Sequence, residues 1–259
     1  MKDKPQKCAL AVVVLAAGQG KRMAAAHPDK PKVLVPIGGA PFIVHILSSV
    51  EKSKVADRLV LVVGHMAEKI KSTLGNKYEY LVQEERLGTG HAVMIAEGLL
   101  KSGCENVMVL YGDHPFVKPE TLRRLREMHL SGKSAVTMLT AAPKDFNDWR
   151  ASFYDFGRIV RNEHGEVTRL VEKKDATDEE RAIREVNLGM YVFRGDWLWP
   201  HLQKLERNNA QKEYYLTDLI KMATTEGAGL TTIPCDPREG VGMNTTEQVA
   251  AVEKILKDL

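Results

Sequence analysis

Short apolar runs recur along the first half of the chain, each closed by glycine or a polar turn and followed by a stretch of helical period. Cys8 to Ala17 is the first, and its core Val12-Val13-Val14 is continuous and β-branched, as expected of a parallel strand buried on both faces. Leu59 to Val63, ending at Gly64, Tyr80 to Gln83, Val107 to Tyr111, ending at Gly112-Asp113, and Ser134 to Leu139 repeat the pattern. Between them, Pro41 opens a helix with Ile43, Ile46, Leu47 and Val50 on one face, a second helix runs from about Met66 to Leu74, a third from Thr89 to about Lys101, and another starts near Pro119. Alternating strand and helix predicts an α/β fold with a parallel sheet.

From about Ala141 the pattern changes. Short strands near Arg158 to Arg161, Val167 to Glu172 and Glu185 to Phe193 lie among polar turns, which suggests an α+β lobe packed on the sheet. No internal repeat or low-complexity linker separates it. The expectation is one domain over 1–259, with an α/β half at about 1–140 and a second lobe at about 141–259. Thr245-Thr246-Glu247-Gln248 reads as a capping box that starts the last helix.

The candidate chemistry gathers at the ends of the strands. After Ala16 and Ala17, Gly18 and Gly20 open a loop whose bare amides can approach phosphate oxygens, and Lys21, Arg22, Lys30 and Lys32 crowd around it. A solvated strand-to-helix loop remains the plain alternative, because the stretch lacks the third glycine of a dinucleotide fingerprint and the Gly-Lys-Ser/Thr of a P-loop. Gln83 stands at the end of the third run. Gly88 and Gly90 flank Thr89 at a helix mouth, suited to capping or to a polar ligand. Asp113 follows the fourth run, where open α/β sheets bind ligands; a carboxylate there can cap a turn or, beside phosphates, hold Mg²⁺. Glu172, Asn187 and Asn244 each have an ordinary structural reading as exposed strand residues or a helix start.

Composition narrows the field. In 259 residues, 44% are hydrophobic and the net charge of +3 is too small and dispersed to suggest a nucleic-acid surface. Cys8, Cys104 and Cys235 show no metal spacing and read as reduced thiols of a cytoplasmic chain. Lys2, Lys4 and Lys7 before an apolar run imitate a secretory signal, but Val12-Val13-Val14 followed by Gly-x-Gly fits a central strand better. No other segment approaches the length of a membrane span.

The ordered set Leu-Ala-Ala-Gly-x-Gly-x-Arg-Met, Pro-Lys-x-Leu, Gln83 with Leu-Gly-Thr-Gly-His-Ala, Tyr-Gly-Asp, Phe-Gly-Arg-Ile, Val-Glu-Lys-Lys-Asp-Ala, Glu-Val-Asn-x-Gly-Met-Tyr, Glu-Tyr-Tyr-Leu-Thr-Asp and Gly-x-Asn resembles sugar-1-phosphate nucleotidyltransferases. The resemblance runs from about residue 8 to the end and is strongest to the uridyltransferase (pyrophosphorylase) domains of bacterial N-acetylglucosamine-1-phosphate uridyltransferases. It implies a Rossmann-like mixed, mostly parallel sheet flanked by helices, with an α+β sugar-binding lobe. It also implies small-molecule substrates: a nucleoside triphosphate and a sugar 1-phosphate joined with release of pyrophosphate and with Mg²⁺ as cofactor. By the same resemblance, Ala16, Ala17, Gly18 and Gly20 with Gln83, Gly88 and Thr89 bind the nucleotide, and Arg22 and Lys32 hold the triphosphate as catalytic residues. Asp113 and Asn244 hold Mg²⁺, while Gly157, Glu172, Asn187 and Thr217 line the sugar pocket.

Those residue types suit the chemistry without a general base. A sugar phosphate has its second pKa near about 6, so its attacking oxygen is largely ionised at neutral pH. The need is to position two polyanions and neutralise charge; His91 and His114 are therefore given no proton-transfer role. Several positions depart from the family pattern: Lys21 stands where Thr is usual, the loop carries His27-Pro28-Asp29-Lys30, Phe156 replaces Tyr, Leu188 replaces a small hydroxyl residue, and Thr245 follows Asn244. The β-helix repeats of the bifunctional relatives do not follow in this sequence, so acetyl transfer is not expected of it. Two rival readings stay open: a related transferase using glucose 1-phosphate or another sugar or alcohol phosphate with UTP, TTP or CTP, and a non-catalytic nucleotide-sugar sensor.

Overall fold

A computed structural model describes residues 8–18, 20–24, 26–209, 211–243 and 245–256. Nine strands form one sheet: β1 (Cys8–Ala16), β2 (Arg58–Val63), β3 (Glu79–Val82), β4 (Cys104–Tyr111), β5 (Val136–Ala141), β6 (Arg158–Arg161), β7 (Val167–Val171), β8 (Val186–Arg194) and β9 (Leu230–Pro234). The main order is β9-β5-β8-β4-β1-β2-β3, with the β6-β7 hairpin attached through β8. All pairings among β1 to β4, and that of β5 with β9, are parallel; β8 runs antiparallel to both of its main neighbours. The mixed, mostly parallel sheet expected from the sequence is the observed fold.

Strand alternation explains why the sheet is covered on both faces. Leu10, Val12, Val14 and Ala16 of β1 enter one core with Phe42, Ile43, Ile46, Leu47 and Val50 of α1 (Phe42–Ser53). Ala11, Val13, Leu15 and Ala17 enter the other with Ala92, Val93, Leu100, Leu198 and Ile220. No helix among the described residues is long and apolar enough to cross a membrane.

Three differences from the sequence reading matter. The second half does not only pack on the sheet: β8 inserts between β4 and β5, so the two halves share its centre. The stretch after Thr89 is two short helices, Thr89–Met94 and Glu97–Leu100, because at Ala96 the amide reaches Val93 O and tightens the turn. Cys8 and Cys104 are not reduced thiols: as register partners on β1 and β4, with Cα atoms 4.5 Å apart, they form a disulfide. Cys235 is free, and burial, with Glu239 and Asp236 nearby, pushes its thiol up to about 12, so it stays protonated. The capping box at the last helix (Thr246–Leu256) forms as read: Thr245 N–H donates to Gln248 Oε1 and Gln248 N–H to Thr245 Oγ1.

Candidate active site

The parallel strands end together, and their ends build the site. The β1 chain leaves the sheet at Ala16 and Ala17, β2 at Val63, and Gln83 N–H donates to Val63 O at 2.7 Å, which fixes the turn after β3. Gly112 N–H donates to Leu15 O, so the turn after β4 delivers Asp113 beside the β1 loop. A cavity of about 640 Å³ results, lined by Ala16, Ala17, Gly18, Gly20, Arg22, Lys32, Gln83, Gly88, Thr89 and Asp113, all candidates from the sequence.

Gly20 has φ +58°, and a Cβ there would lie 2.6 Å from Lys32 Cβ, so its bareness makes room for the lysine stem. Lys32 is 9% exposed. Its ammonium bonds the Asp113 carboxylate. Burial alone would raise the Asp113 pKa, but the charge and hydrogen bond of Lys32 outweigh it and hold the carboxyl below its usual value. His114, 3.9 Å from Asp113 Oδ1, is kept neutral by burial, and Phe156 stacks on its ring. Arg22 is exposed and makes no hydrogen bond or ion pair with a described residue.

A second cavity of about 1140 Å³ adjoins the first and shares Arg22, Thr89 and Tyr111 with it. Glu172 and Thr217 line it, together with Tyr154, Asp155, Lys173 and Tyr215. Burial raises the Glu172 pKa, helped by Asp175 and Asp218, while a hydrogen bond from Thr217 and the charge of Lys174 oppose it.

The two cavities are joined by a long-range contact. Leu216 N–H donates to Thr89 Oγ1 at 3.1 Å, Gly90 N–H to Tyr214 O, and Tyr214 N–H to Leu87 O. Thr89 therefore does not cap its own helix, which has Gly88 as N-cap and no side-chain cap bond. Gly88 sits at φ +103°, and a Cβ there would be 2.6 Å from Tyr214 O. The two glycines around Thr89 thus let the Glu213 to Thr217 stretch of chain close onto the first cavity.

Not every candidate meets a cavity. Gly157 and Asn187 lie beside each other, Asn187 N–H donating to Gly157 O at 2.9 Å, but neither lines either space. Asn187 spends its side chain internally, donating from Nδ2 to Tyr191 Oη and accepting Gly189 N–H at Oδ1. Leu188 is buried against Gly240, away from both cavities. Asn244 and the side chain of Lys21 lie outside the described residues. Met243 N–H donates to Asp113 O at 3.3 Å, tying the chain just before Asn244 to Asp113.

Sequence reasoning missed Tyr111, Arg86 and Glu213. Tyr111 was available as the residue before Gly112-Asp113; Glu213 opens the Glu-Tyr-Tyr-Leu-Thr-Asp motif but reaches the cavity only through its docking on Leu87 to Gly90. Among the described residues no three His, Cys, Asp or Glu side chains cluster as metal ligands. A single ionised carboxylate lining the first cavity suits Mg²⁺, an ion that commonly takes one or two carboxylates together with phosphate oxygens and water.

Comparison with known proteins agrees with this geometry. The profile of the MobA-like NTP transferase domain matches residues 12–217. Bifunctional protein GlmU of Streptococcus agalactiae serotype V is 38% identical over 246 residues, 95% of this chain and 51% of that protein. Its counterpart in Brevibacillus brevis is 40% identical over 246 residues with the same coverage. The chain spans about half the length of these curated relatives. A Bacillus anthracis crystal structure named as a glucose-1-phosphate thymidylyltransferase, in complex with a sucrose, superposes with a TM-score of 0.77 at 19% identity, covering 97% of this chain and 96% of the other. That likeness concerns the fold.

Proposed function

The chain belongs to the family of MobA-like NTP transferase domains, and from that premise we propose that it joins UTP to N-acetylglucosamine 1-phosphate, giving UDP-N-acetylglucosamine and pyrophosphate. The observation that carries the reading is the meeting of two cavities at Arg22, Thr89 and Tyr111, with Lys32 and Asp113 on one side and Glu172 and Thr217 on the other. A nucleotide in the first and a sugar phosphate in the second would bring their phosphates together beside Arg22.

The smaller cavity binds the base with Gln83 and the backbone at Ala16, Ala17 and Gly18. Arg22 and Lys32 neutralise the triphosphate. The sugar hydroxyls donate to Glu172, whose carboxylate Thr217 orients. A sugar-phosphate oxygen, already ionised, attacks the α-phosphorus; the bond from that phosphorus to the bridging oxygen breaks, and pyrophosphate leaves with the electron pair. Mg²⁺ held by Asp113, with Asn244, would supply further charge neutralisation on the phosphate oxygens. Lys32 needs no proton transfer for its part: as a fixed cation beside the phosphates it favours the charge that develops on the leaving group. UTP is a cytoplasmic substrate, so the reading assigns the protein to the cytoplasm, where the Cys8–Cys104 pair would meet reducing conditions.

The test is pyrophosphate release with Mg²⁺, crossing UTP, TTP, CTP and ATP against N-acetylglucosamine 1-phosphate, glucose 1-phosphate and other sugar phosphates. Release peaking with UTP and N-acetylglucosamine 1-phosphate supports the proposal. A peak with glucose 1-phosphate or with TTP keeps the mechanism and changes the substrate. Nucleotide-sugar binding by calorimetry with silence across the grid would favour a non-catalytic sensor.

A further inference from the structure

Gln83 is 5% exposed, yet it lines the nucleotide cavity, and its amide is held from behind. Its Nε2 lies 3.0 Å from Gly88 O and 3.0 Å from His91 Nδ1. A carbonyl oxygen only accepts, so the end of the amide facing Gly88 must be the NH₂ group. That in turn assigns the tautomer of His91: Nδ1 carries the lone pair, and the ring proton sits on Nε2. The ring is itself placed by Tyr214, which stacks on it at 6.3 Å between centroids. Two acceptors thus converge on one nitrogen, while Gln83 Oε1 accepts from no described residue.

We propose that His91 is a positioning residue for base selection: with Gly88 O it pins the Gln83 amide nitrogen, leaving Oε1 as a fixed acceptor toward the position-3 N–H of a uracil or thymine base and against the bare N3 of cytosine. The inference rests on the reading of Gln83 as the base-binding residue. An amide is nearly the same shape when turned over, so shape alone would let Gln83 present either a donor or an acceptor to the base. Turned over here, Oε1 would face the Gly88 carbonyl oxygen, a repulsive contact in a buried place, and His91 would have to move its ring proton from Nε2 to Nδ1. The backbone carbonyl is common to any residue at position 88; the side chain at position 91 is the part that the sequence chooses. His91 lines neither cavity, and its effect should appear in nucleotide affinity, not in the chemical step.

The experiment is calorimetric titration with UTP and with CTP, in Mg²⁺, of the unaltered protein and of His91→Leu, His91→Phe and His91→Asn. Phenylalanine keeps a ring against Tyr214, and both apolar variants remove the acceptor; asparagine can restore one through Oδ1. The two apolar variants should lose about tenfold in UTP affinity, the size of one hydrogen bond of about 1.4 kcal/mol, and the preference for UTP over CTP should fall by at least the same factor. His91→Asn should regain most of both. An unchanged preference in a variant whose thermal melting shows it folded overturns the proposal, as does an unaltered protein that binds the two nucleotides equally. Independently of any variant, ¹⁵N shifts of the His91 ring at about pH 8, where an ordinary imidazole is neutral, should report the Nε2-protonated tautomer; an Nδ1-protonated ring also overturns it. Pyrophosphate release by the unaltered protein is scored separately: silence there removes the transferase reading and leaves the selectivity result standing.

Discussion

The Lys32 ammonium and the Asp113 carboxylate bond each other in the wall of the first cavity, the one group proposed for phosphate and the other for a cation. Lys32 keeps the Asp113 carboxylate charged in a place where burial opposes charge. Binding a triphosphate with Mg²⁺ would replace this pair by two better-matched ones, so the resting contact stores both charges at the point of use. Lys32→Met should lower turnover on the order of 100-fold to 1,000-fold, by comparison with the loss of one transition-state donor. It should also lower the melting temperature, because Asp113 loses its partner. Adding Asp113→Asn should recover the melting temperature and none of the turnover. Near-normal turnover of Lys32→Met, measured by pyrophosphate release, would sink the assignment.

Glu172 offers a test of the sugar side. Burial, with Asp175 and Asp218 nearby, raises its pKa, so on acidification it takes up its proton at a higher pH than an exposed glutamate would. The neutral form is the weaker acceptor for sugar hydroxyls, and the sugar-phosphate KM should therefore rise as pH falls. Glu172→Gln should raise that KM by about tenfold or more at neutral pH, the worth of a charge-assisted hydrogen bond, leave the UTP KM within twofold, and flatten the acid limb to that of the substrate's own ionisation. An unaltered sugar-phosphate KM would make Glu172 merely structural.

How much of this was legible in the sequence depends on the range of the contacts involved. β1, β2 and β4 are buried on both faces, so their apolar runs are unbroken and declare themselves. β9 was not read, because Leu230-Thr231-Thr232 is half-buried at a sheet edge and half polar; the helix Gly195–Leu202 was hidden by Pro200 within it. The insertion of β8 between β4 and β5 rests on pairings such as Tyr191 with Val109 and with Met138, which no local pattern carries. In the site, Lys32, Gln83 and Asp113 could be read because each stands at a strand end or in its loop. The bond from Leu216 to Thr89 could not, since it joins residues 127 apart in the chain.

That bond predicts a coupled effect. Thr89 Oγ1 accepts from Leu216 N–H, and the two flanking residues Gly88 and Thr217 line different cavities. Thr89→Val keeps the shape and removes the acceptor, at a cost of roughly 1–2 kcal/mol for the stranded amide. The KM values for nucleotide and sugar phosphate should rise together, several-fold each, whereas Thr89→Ser should behave like the unaltered protein. A rise in only one of the two would show that the link does not couple the cavities.

Arg158 sits in the Phe-Gly-Arg-Ile segment and is fully buried, and its guanidinium serves carbonyl oxygens: Tyr154 O at 3.0 Å, Arg181 O at 3.4 Å and, more closely, Phe156 O. The Phe146 and Tyr154 rings lie over it at 5.0 and 5.4 Å. It thereby gathers the 3-10-helical segment Asp148–Asp155, whose Tyr154 and Asp155 line the second cavity. Lysine has one compact charge and cannot reach several carbonyls in one plane. Arg158→Met should destabilise the fold by roughly 3 kcal/mol through unpaired buried carbonyls, read as a lower midpoint in urea, and Arg158→Lys should recover less than half. A midpoint unchanged in Arg158→Met would refute this role.

His129 predicts a loss of stability on acidification. Asn106 Nδ2 donates to Ala9 O, which turns Asn106 Oδ1 toward His129 Nε2 at 3.2 Å and makes that nitrogen the donor; Nδ1 then accepts from the Thr137 hydroxyl at 2.8 Å. The neutral ring is fully satisfied, and burial, with Arg194 nearby, lowers its pKa to about 4. The unfolded chain has the ordinary histidine value near about 6.5, so between these two pH values it binds more protons than the folded protein, and stability rises with pH across that window. The contribution is fully present above about pH 6.5 and is lost as pH falls toward about 4, for a difference of up to about 3 kcal/mol. Urea unfolding midpoints taken at intervals through that window should fall on acidification, and the fall should be shallower in His129→Gln, which cannot charge. Equal pH slopes in the two proteins would show that His129 titrates alike in the folded and unfolded chain and that the acid sensitivity comes from elsewhere.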